Sequence, residues 1–69
     1  MPGDVGLVAK FLSEVLDVFV DPTKYEAWDL EKKLKWLMRG VTDAAAKNDA
    51  ARIEYFLAEY RSLRGEIGP

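Results

Sequence analysis

The chain has 69 residues, ten of them basic and twelve acidic, and a formal net charge of −2 at pH 7. A chain of about 60 residues buries only about 60% of its unfolded surface, so we expect one domain over residues 1–69. The absence of Cys and His removes disulfides and the commonest zinc ligands, and the weak net charge excludes the basic field of a general nucleic-acid binder. We therefore predict no metal site and no cofactor.

The first predicted helix spans residues 4–20, with Asp4 as its N-cap. Apolar residues recur at alternating spacings of three and four, which is the spacing of one helix face, at Val5, Val8, Leu12, Val15 and Phe19. Further apolar residues widen this face until only about 100° of the circumference remains for polar groups. This helix is therefore expected to present more apolar area than so small a chain covers easily.

The excess apolar area is expected on one flank of that helix. In a monomer the helix should bury Val8, Leu12, Val15, Leu16 and Phe19, which leaves an exposed patch of Leu7, Phe11 and Val18. Exposed apolar patches usually mark interaction sites, and burial in a homo-oligomer, with a dimer as the first guess, is one interpretation. Three others remain open: the other helices cover the patch, a different protein binds it, or it meets a membrane surface.

A second helix is predicted over residues 23–47. The residue before Pro22 is disfavoured in the α conformation, while proline itself is tolerated in a first helical turn, so the first helix ends and the second begins here. Two N-caps compete: Asp21 followed by Pro22, or Thr23 paired with Glu26 in a capping box. Both begin the same helix to within one turn.

A narrow apolar seam runs along the second helix at three-four spacing. Its phase is kept across Gly40, which favours one continuous helix over a break at which Thr42 caps a new one. The seam comprises Ala27, Leu30, Leu34, Leu37, Val41, Ala44 and Asn48.

The third predicted helix spans residues 49–64. Asn48 favours a left-handed C-terminal residue and Asp49 an N-cap, which together indicate a tight turn between two helices. Gly65 supplies the stop, and residues 66–69 are expected to fray. The seam of this helix comprises Ile53, Phe56, Tyr60 and Leu63.

These elements predict an all-α fold, a three-helix up-down-up bundle built on an antiparallel hairpin of the second and third helices. The short turn makes those two helices antiparallel neighbours, and their seams suit the shallow crossing angle of bundles. The first helix, with the widest apolar arc, is expected to lie across the groove between them.

Aromatic and basic residues gather on the second helix opposite its seam. Exposed Trp and Arg are the residue types that dominate protein interfaces, and Lys or Arg one turn from an indole can form cation-π contacts. The alternative is that one or both tryptophans, above all Trp36, pack into the core. The predicted partner-binding face comprises Tyr25, Trp28, Lys32, Lys35, Trp36 and Arg39.

We predict a small non-enzymatic protein-interaction or structural module, an accessory or assembly factor, that self-associates or binds a partner through the first helix and this aromatic-basic face. No catalytic residue is assigned, because the carboxylates alternate with lysines on solvated faces and no His activates the hydroxyls. The alternative is a small regulator that binds nucleic acid through the second helix, although Glu26, Asp29 and Glu31 dilute its positive charge.

Membrane binding and export are not favoured by the sequence. The polar strip of the first helix is acidic, which is the wrong sign for anionic lipid. Residues 1–4 lack the basic start of a secretory signal, and Lys10, Glu14 and Asp17 interrupt the apolar stretch far below the length that spans a bilayer. We therefore expect a soluble, cytoplasmic protein.

Overall fold

A computed structural model describes residues 5–65, and the fold over this range is all-helical, as predicted. It contains four helices in place of the expected three. The expectations for Asp4 as an N-cap and for a frayed tail at residues 66–69 lie outside the described residues. The helices are α1 (Val5–Leu16), α2 (Pro22–Ala27), α3 (Leu30–Ala46) and α4 (Ala50–Arg64).

Helix α1 ends at Leu16, four residues earlier than predicted. Asp17 adopts a left-handed conformation with φ of 59°, which short polar side chains tolerate better than most. The Ser13 hydroxyl donates to the Ala9 carbonyl at 2.8 Å and accepts from the Val20 N–H at 2.7 Å. This hydroxyl holds the chain as it turns back, so the prediction of a helix to residue 20 is wrong.

The second predicted helix is broken into α2 and α3. Asp21 caps α2, with the Thr23 N–H donating to Asp21 Oδ1 at 2.9 Å, so the first of the two competing caps is confirmed. Trp28 then adopts an extended backbone, and Asp29 accepts from the Lys32 N–H at 2.8 Å as the N-cap of α3. One helix over residues 23–47 is therefore wrong, because a second capping residue six positions after the start was not recognised.

Helix α3 continues through Gly40, as predicted. Gly40 is buried, and a Cβ atom at this position would lie 2.8 Å from Leu12 Cδ2 of α1 and 3.0 Å from Phe56 Cε2 of α4. The three longer helices thus approach one another at a residue without a side chain. Close approach explains why a glycine occupies the middle of the longest helix despite its poor helix propensity.

The turn between α3 and α4 is confirmed in its details. Asn48 has a φ of 57°, and Asp49 caps α4 by accepting from the Arg52 N–H at 3.2 Å. Gly65 ends α4 in the left-handed conformation with φ of 72°. Helices α3 and α4 consequently form a hairpin that packs along its length.

The core lies where α1, α2 and the hairpin meet. Val8, Leu12 and Val15 are buried as predicted, Leu16 is half-buried, and Phe19 is 80% exposed. Placing Phe19 in the core was wrong, because it lies beyond the end of α1, where the helical period no longer applies. Among residues 5–65, the buried apolar residues are Val8, Ala9, Leu12, Val15, Val20, Tyr25, Leu37, Ala44 and Phe56.

Candidate protein-interaction surface

Three aromatic rings contact one another in series at the junction of α2 and α3. The ring centroids of Tyr25 and Trp28 are 5.4 Å apart at an interplanar angle of 64°, and those of Trp28 and Trp36 are 5.0 Å apart at 35°. Both tryptophans are half-buried, with ring atoms on the core and ring atoms in solvent. The break between the two helices makes this series possible, because a continuous helix would separate Trp28 and Trp36 by two full turns.

Basic side chains surround the two indoles. Lys32 Nζ lies 4.6 Å from the centroid of the Trp28 ring, a cation-π distance. Lys35 and Arg39 are exposed on α3 on either side of Trp36 in the sequence. We call Trp28, Lys32, Lys35, Trp36 and Arg39 the aromatic-basic surface.

Two shallow depressions adjoin the Trp36 ring, and Lys35 also lines both. Asp29, Glu31 and Lys32 complete the lining of the first depression, which therefore carries charges of both signs. Arg39 completes the second, so its charged lining residues are both basic. The second depression thus combines an indole with two cations and suits an anionic group beside an apolar one.

Tyr25, which was predicted on this face, lies in the core instead. Its side chain is 1% exposed, and its hydroxyl has no hydrogen-bond partner among the described residues. Burial raises the pKa of Tyr25, and the negative charge of Glu59 raises it further. Tyr25 was misplaced because the helix breaks after α2. This short helix turns the Tyr25 ring inward, where it packs against Trp28.

The predicted patch on α1 is not a single patch. Leu7 and Phe11 are half-buried, and the Phe11 ring packs edge-on against Tyr55 of α4 at 5.0 Å between centroids. The Arg52 guanidinium lies 4.5 Å from the Phe11 ring centroid. Val18 is 52% exposed but lies in the loop after α1, beside Phe19. The three residues are therefore separated, and the exposed apolar pair is formed by the loop.

Polar contacts attach the end of α1 to the hairpin. Arg52 donates to Glu14 Oε1 at 2.5 Å and to Asp49 Oδ2 at 3.0 Å, and the hydrogen bond to Glu14 raises the pKa of the Arg52 guanidinium. The Lys47 ammonium donates to the Val15 carbonyl at 2.6 Å, where a cation stabilises the C-terminus of a helix. The contacts of Arg52 with Glu14 and of Lys47 with Val15 were not predicted, because each joins residues that are far apart in the sequence.

Two exposed residues on α3 were also missed. Leu30 is 51% exposed and Met38 is 42% exposed, although Leu30 was assigned to the buried seam. The break explains Leu30, which begins α3 and lies at the edge of the packed region. Ala27 is exposed for the same reason, at the last position of α2.

Within residues 5–65, no cluster of carboxylates suited to holding a metal ion was found. Over the same range, no helix has the length and apolar character required to cross a bilayer. Comparisons of the chain with protein-family models, with curated proteins and with solved structures found no match.

Proposed function

We propose that this chain is a small non-enzymatic protein-interaction module that binds its partner on the aromatic-basic surface. The observation that carries the proposal is the position of Trp36, whose half-buried indole lines two adjoining depressions between exposed cations. A rigid aromatic ring that is already held by core contacts gives binding area without a large loss of conformational freedom. Interface hot spots have this composition, a Trp with neighbouring Arg.

The charges of the second depression favour an acidic protein segment as the partner. Lys35 and Arg39 offer donors to a carboxylate, and the indole of Trp36 offers an apolar surface to the residue beside it. Asp29 and Glu31 bound the first depression and disfavour a second acidic group there. A segment with one or two carboxylates next to a large apolar residue therefore matches the surface better than a uniformly acidic tract.

The chain direction proposed for the helices differs from the expected up-down-up order. Glu14 contacts Arg52, and Phe11 contacts Tyr55. The earlier residue of α1 therefore contacts the later residue of α4. Such pairings support antiparallel packing of α1 and α4, and the tight turn supports the same for α3 and α4. With α2 as a short descending segment, the proposed order is up-down-up-down.

Intrinsic fluorescence tests the proposed surface directly, because both tryptophans of the chain belong to it. The probe is a synthetic peptide in which Glu and Leu alternate, titrated into the full chain at low salt. We expect a saturable change in tryptophan emission that weakens as salt is added. The double variant Lys35→Glu, Arg39→Glu should bind the peptide about tenfold more weakly, or worse, a loss of about 1.4 kcal/mol or more.

The matched control is the double variant Lys10→Glu, Lys24→Glu. These lysines are exposed on α1 and α2, and the two double variants change the net charge equally. Equal loss of binding in both variants would mean that only total charge matters and would contradict the proposal. Circular dichroism of each variant verifies that the helices are retained.

A single-stranded oligonucleotide is the probe for the alternative function. Stacking of bases on Trp28 and Trp36 with phosphates on Lys32 and Lys35 would quench the same fluorescence. We expect no saturable quenching, because Asp29 and Glu31 lie beside the rings. Quenching by the oligonucleotide without a response to the peptide would replace the protein-binding proposal with nucleic-acid binding.

A cytoplasmic location is part of the proposal and is tested by fractionation of cells that express the tagged chain.

A further inference from the structure

One side of the α3/α4 hairpin carries apolar residues that α1 and α2 leave partly exposed. Leu30, Leu34 and Met38 follow one another at intervals of four along α3, and Leu57 lies on α4. Leu30 and Met38 are about half exposed, and Leu34 and Leu57 are half-buried. We call these four residues the outer hairpin face.

Helical phase places this face away from α1. Met38 lies two residues, or about 160° around the helix, from Gly40, whose closest neighbour on α1 is Leu12. Leu57 likewise lies two residues, or about 160° around α4, from Tyr55, whose ring contacts Phe11 of α1. The two helices therefore present Met38 and Leu57 to the same side of the hairpin, and α1 packs on the opposite side.

The same side continues toward the turn with small residues. Ala45 follows Met38 by seven positions and Ala50 precedes Leu57 by seven. Seven residues make about two turns, so Ala45 lies on the same side of α3 as Met38 and Ala50 on the same side of α4 as Leu57. Both alanines are exposed. The face is thus bulky at the end that contains Leu30 and shallow at the end near the turn.

Charge is arranged in the same asymmetric way along α4. Glu54 precedes Leu57 by three positions and Arg61 follows it by four, and both side chains are exposed. The acidic residue lies toward the shallow end and the basic residue toward the bulky end. Opposite charges three positions before Leu57 and four positions after it are close to the pattern that a two-fold axis near this level would pair.

We propose that two copies of this chain pair through the outer hairpin face about a two-fold axis perpendicular to the helices, at the level of Met38 and Leu57. Each α3 then packs antiparallel on α3 of the second copy, so the bulky end of one copy, at Leu30, meets the shallow end of the other, near Ala45 and Ala46. Glu54 of each copy faces Arg61 of the other. This interface is distinct from the aromatic-basic surface and does not depend on what that surface binds.

The size of the face sets the expected strength of pairing. The molecule measures 32 × 25 × 21 Å. The outer hairpin face is one side of a molecule of this size, so it covers less than the roughly 800 Å² per copy of a standard interface. We therefore expect a reversible dimer with a dissociation constant on the order of micromolar.

Sedimentation equilibrium over a wide range of protein concentration tests the pairing. We expect the mass of the wild-type chain to rise from monomer to dimer, and Met38→Glu to remain monomeric because two carboxylates would meet at the axis. Thr23→Glu is the control, since it adds the same charge at an exposed position on α2, away from the hairpin face. A wild-type chain that stays monomeric at the highest concentrations overturns the proposal and leaves the face to a different partner.

Crosslinking provides a second test that does not require a charge on the face. The chain has no cysteine, so a single introduced thiol reports its own neighbours. Met38→Cys should form a disulfide-linked dimer readily under mild oxidation, whereas Thr23→Cys should not. Equal crosslinking of the two variants, or a dimer that Met38→Glu leaves intact, would overturn the two-fold arrangement.

Discussion

Tyr25 is the largest fully buried side chain among the described residues, and its hydroxyl is buried without a hydrogen bond. Its ring packs edge-on against Trp28, but its hydroxyl finds no hydrogen-bond partner among residues 5–65. A buried polar group without a partner costs about 1–3 kcal/mol relative to the hydrated unfolded state. The aromatic ring is thus stabilising while the oxygen atom opposes folding.

Replacing Tyr25 with Phe should stabilise the protein. The ring stays in place and the unpaired hydroxyl is removed, so we expect the free energy of unfolding to rise by about 1 kcal/mol in urea titrations at neutral pH. Tyr60→Phe, at a half-buried position on α4, is the control and should change stability little. A loss of stability in Tyr25→Phe would mean that the hydroxyl makes a favourable contact after all.

Glu59 makes stability depend on pH. Burial raises the pKa of Glu59 above its ordinary value of 4.5, with Lys33 acting in the opposite direction. The folded state therefore holds this proton more tightly than the unfolded state. The contribution of Glu59 to stability is complete below about pH 4.5 and is lost as the pH rises through the folded-state pKa.

Glu59→Gln should remove this pH dependence. At neutral pH the variant is expected to unfold at a higher urea concentration than the wild type, and below about pH 4 the difference should shrink. Glu54→Gln, on the exposed side of the same helix, gives the effect of the charge change without burial. If both variants shift stability equally at every pH, the partial burial of Glu59 is not the cause.

At the scale of the elements, the break between α2 and α3 determines the character of the candidate site. Asp29 caps α3 and frees Trp28 from helical geometry, so its ring packs between Tyr25 and Trp36. The same break buries Tyr25 and exposes Leu30. A single capping residue thus decides which aromatic side chains face solvent.

Gly40 is the position at which the helices approach most closely, and Gly40→Ala should therefore destabilise the protein. Overpacking against Leu12 and Phe56 costs about 1–3 kcal/mol, which exceeds the gain in helix propensity of about 1 kcal/mol. We expect a net loss of about 1 kcal/mol in thermal unfolding. Gly6→Ala, at an exposed position of α1, is the contrasting variant and should stabilise. A stabilised Gly40→Ala would show that Leu12 moves aside freely.

At the scale of the whole molecule, the small size of the core is related to the two proposed binding surfaces. Five large side chains are fully buried within residues 5–65, which suits a chain that gains stability from association. Trp36 lies about 160° around α3 from Met38, so its indole stays open when the outer hairpin face is paired, whereas Lys35, only about 60° from Met38, borders that face. A dimer would present two aromatic-basic surfaces and bind a partner with repeated acidic segments more tightly than a monomer does.

Much of the candidate site was predicted from sequence because it depends on local spacing. Trp36, Lys32, Lys35 and Arg39 lie within two turns of one helix, so their proximity follows from helical geometry alone. Tyr25 was misplaced because its position depends on a break outside that helix. Val18 was predicted to be exposed, but the exposure of Phe19 was missed because the helical period was extended past the turn at Asp17.

The sequence by itself determined the all-helical class and the hairpin turn at Asn48 and Asp49, favoured the continuity of α3 through Gly40, and left two candidate caps for α2, of which the structure has Asp21. These features depend on periodicity and on the backbone preferences of single residues, which act over one or two turns. Only the tertiary structure decided the direction in which α1 packs, the burial of Tyr25 and the contacts of Arg52 and Lys47. Those features join residues separated by as many as 44 positions, as Phe11 and Tyr55 are, and local preferences carry no information about such distant pairs.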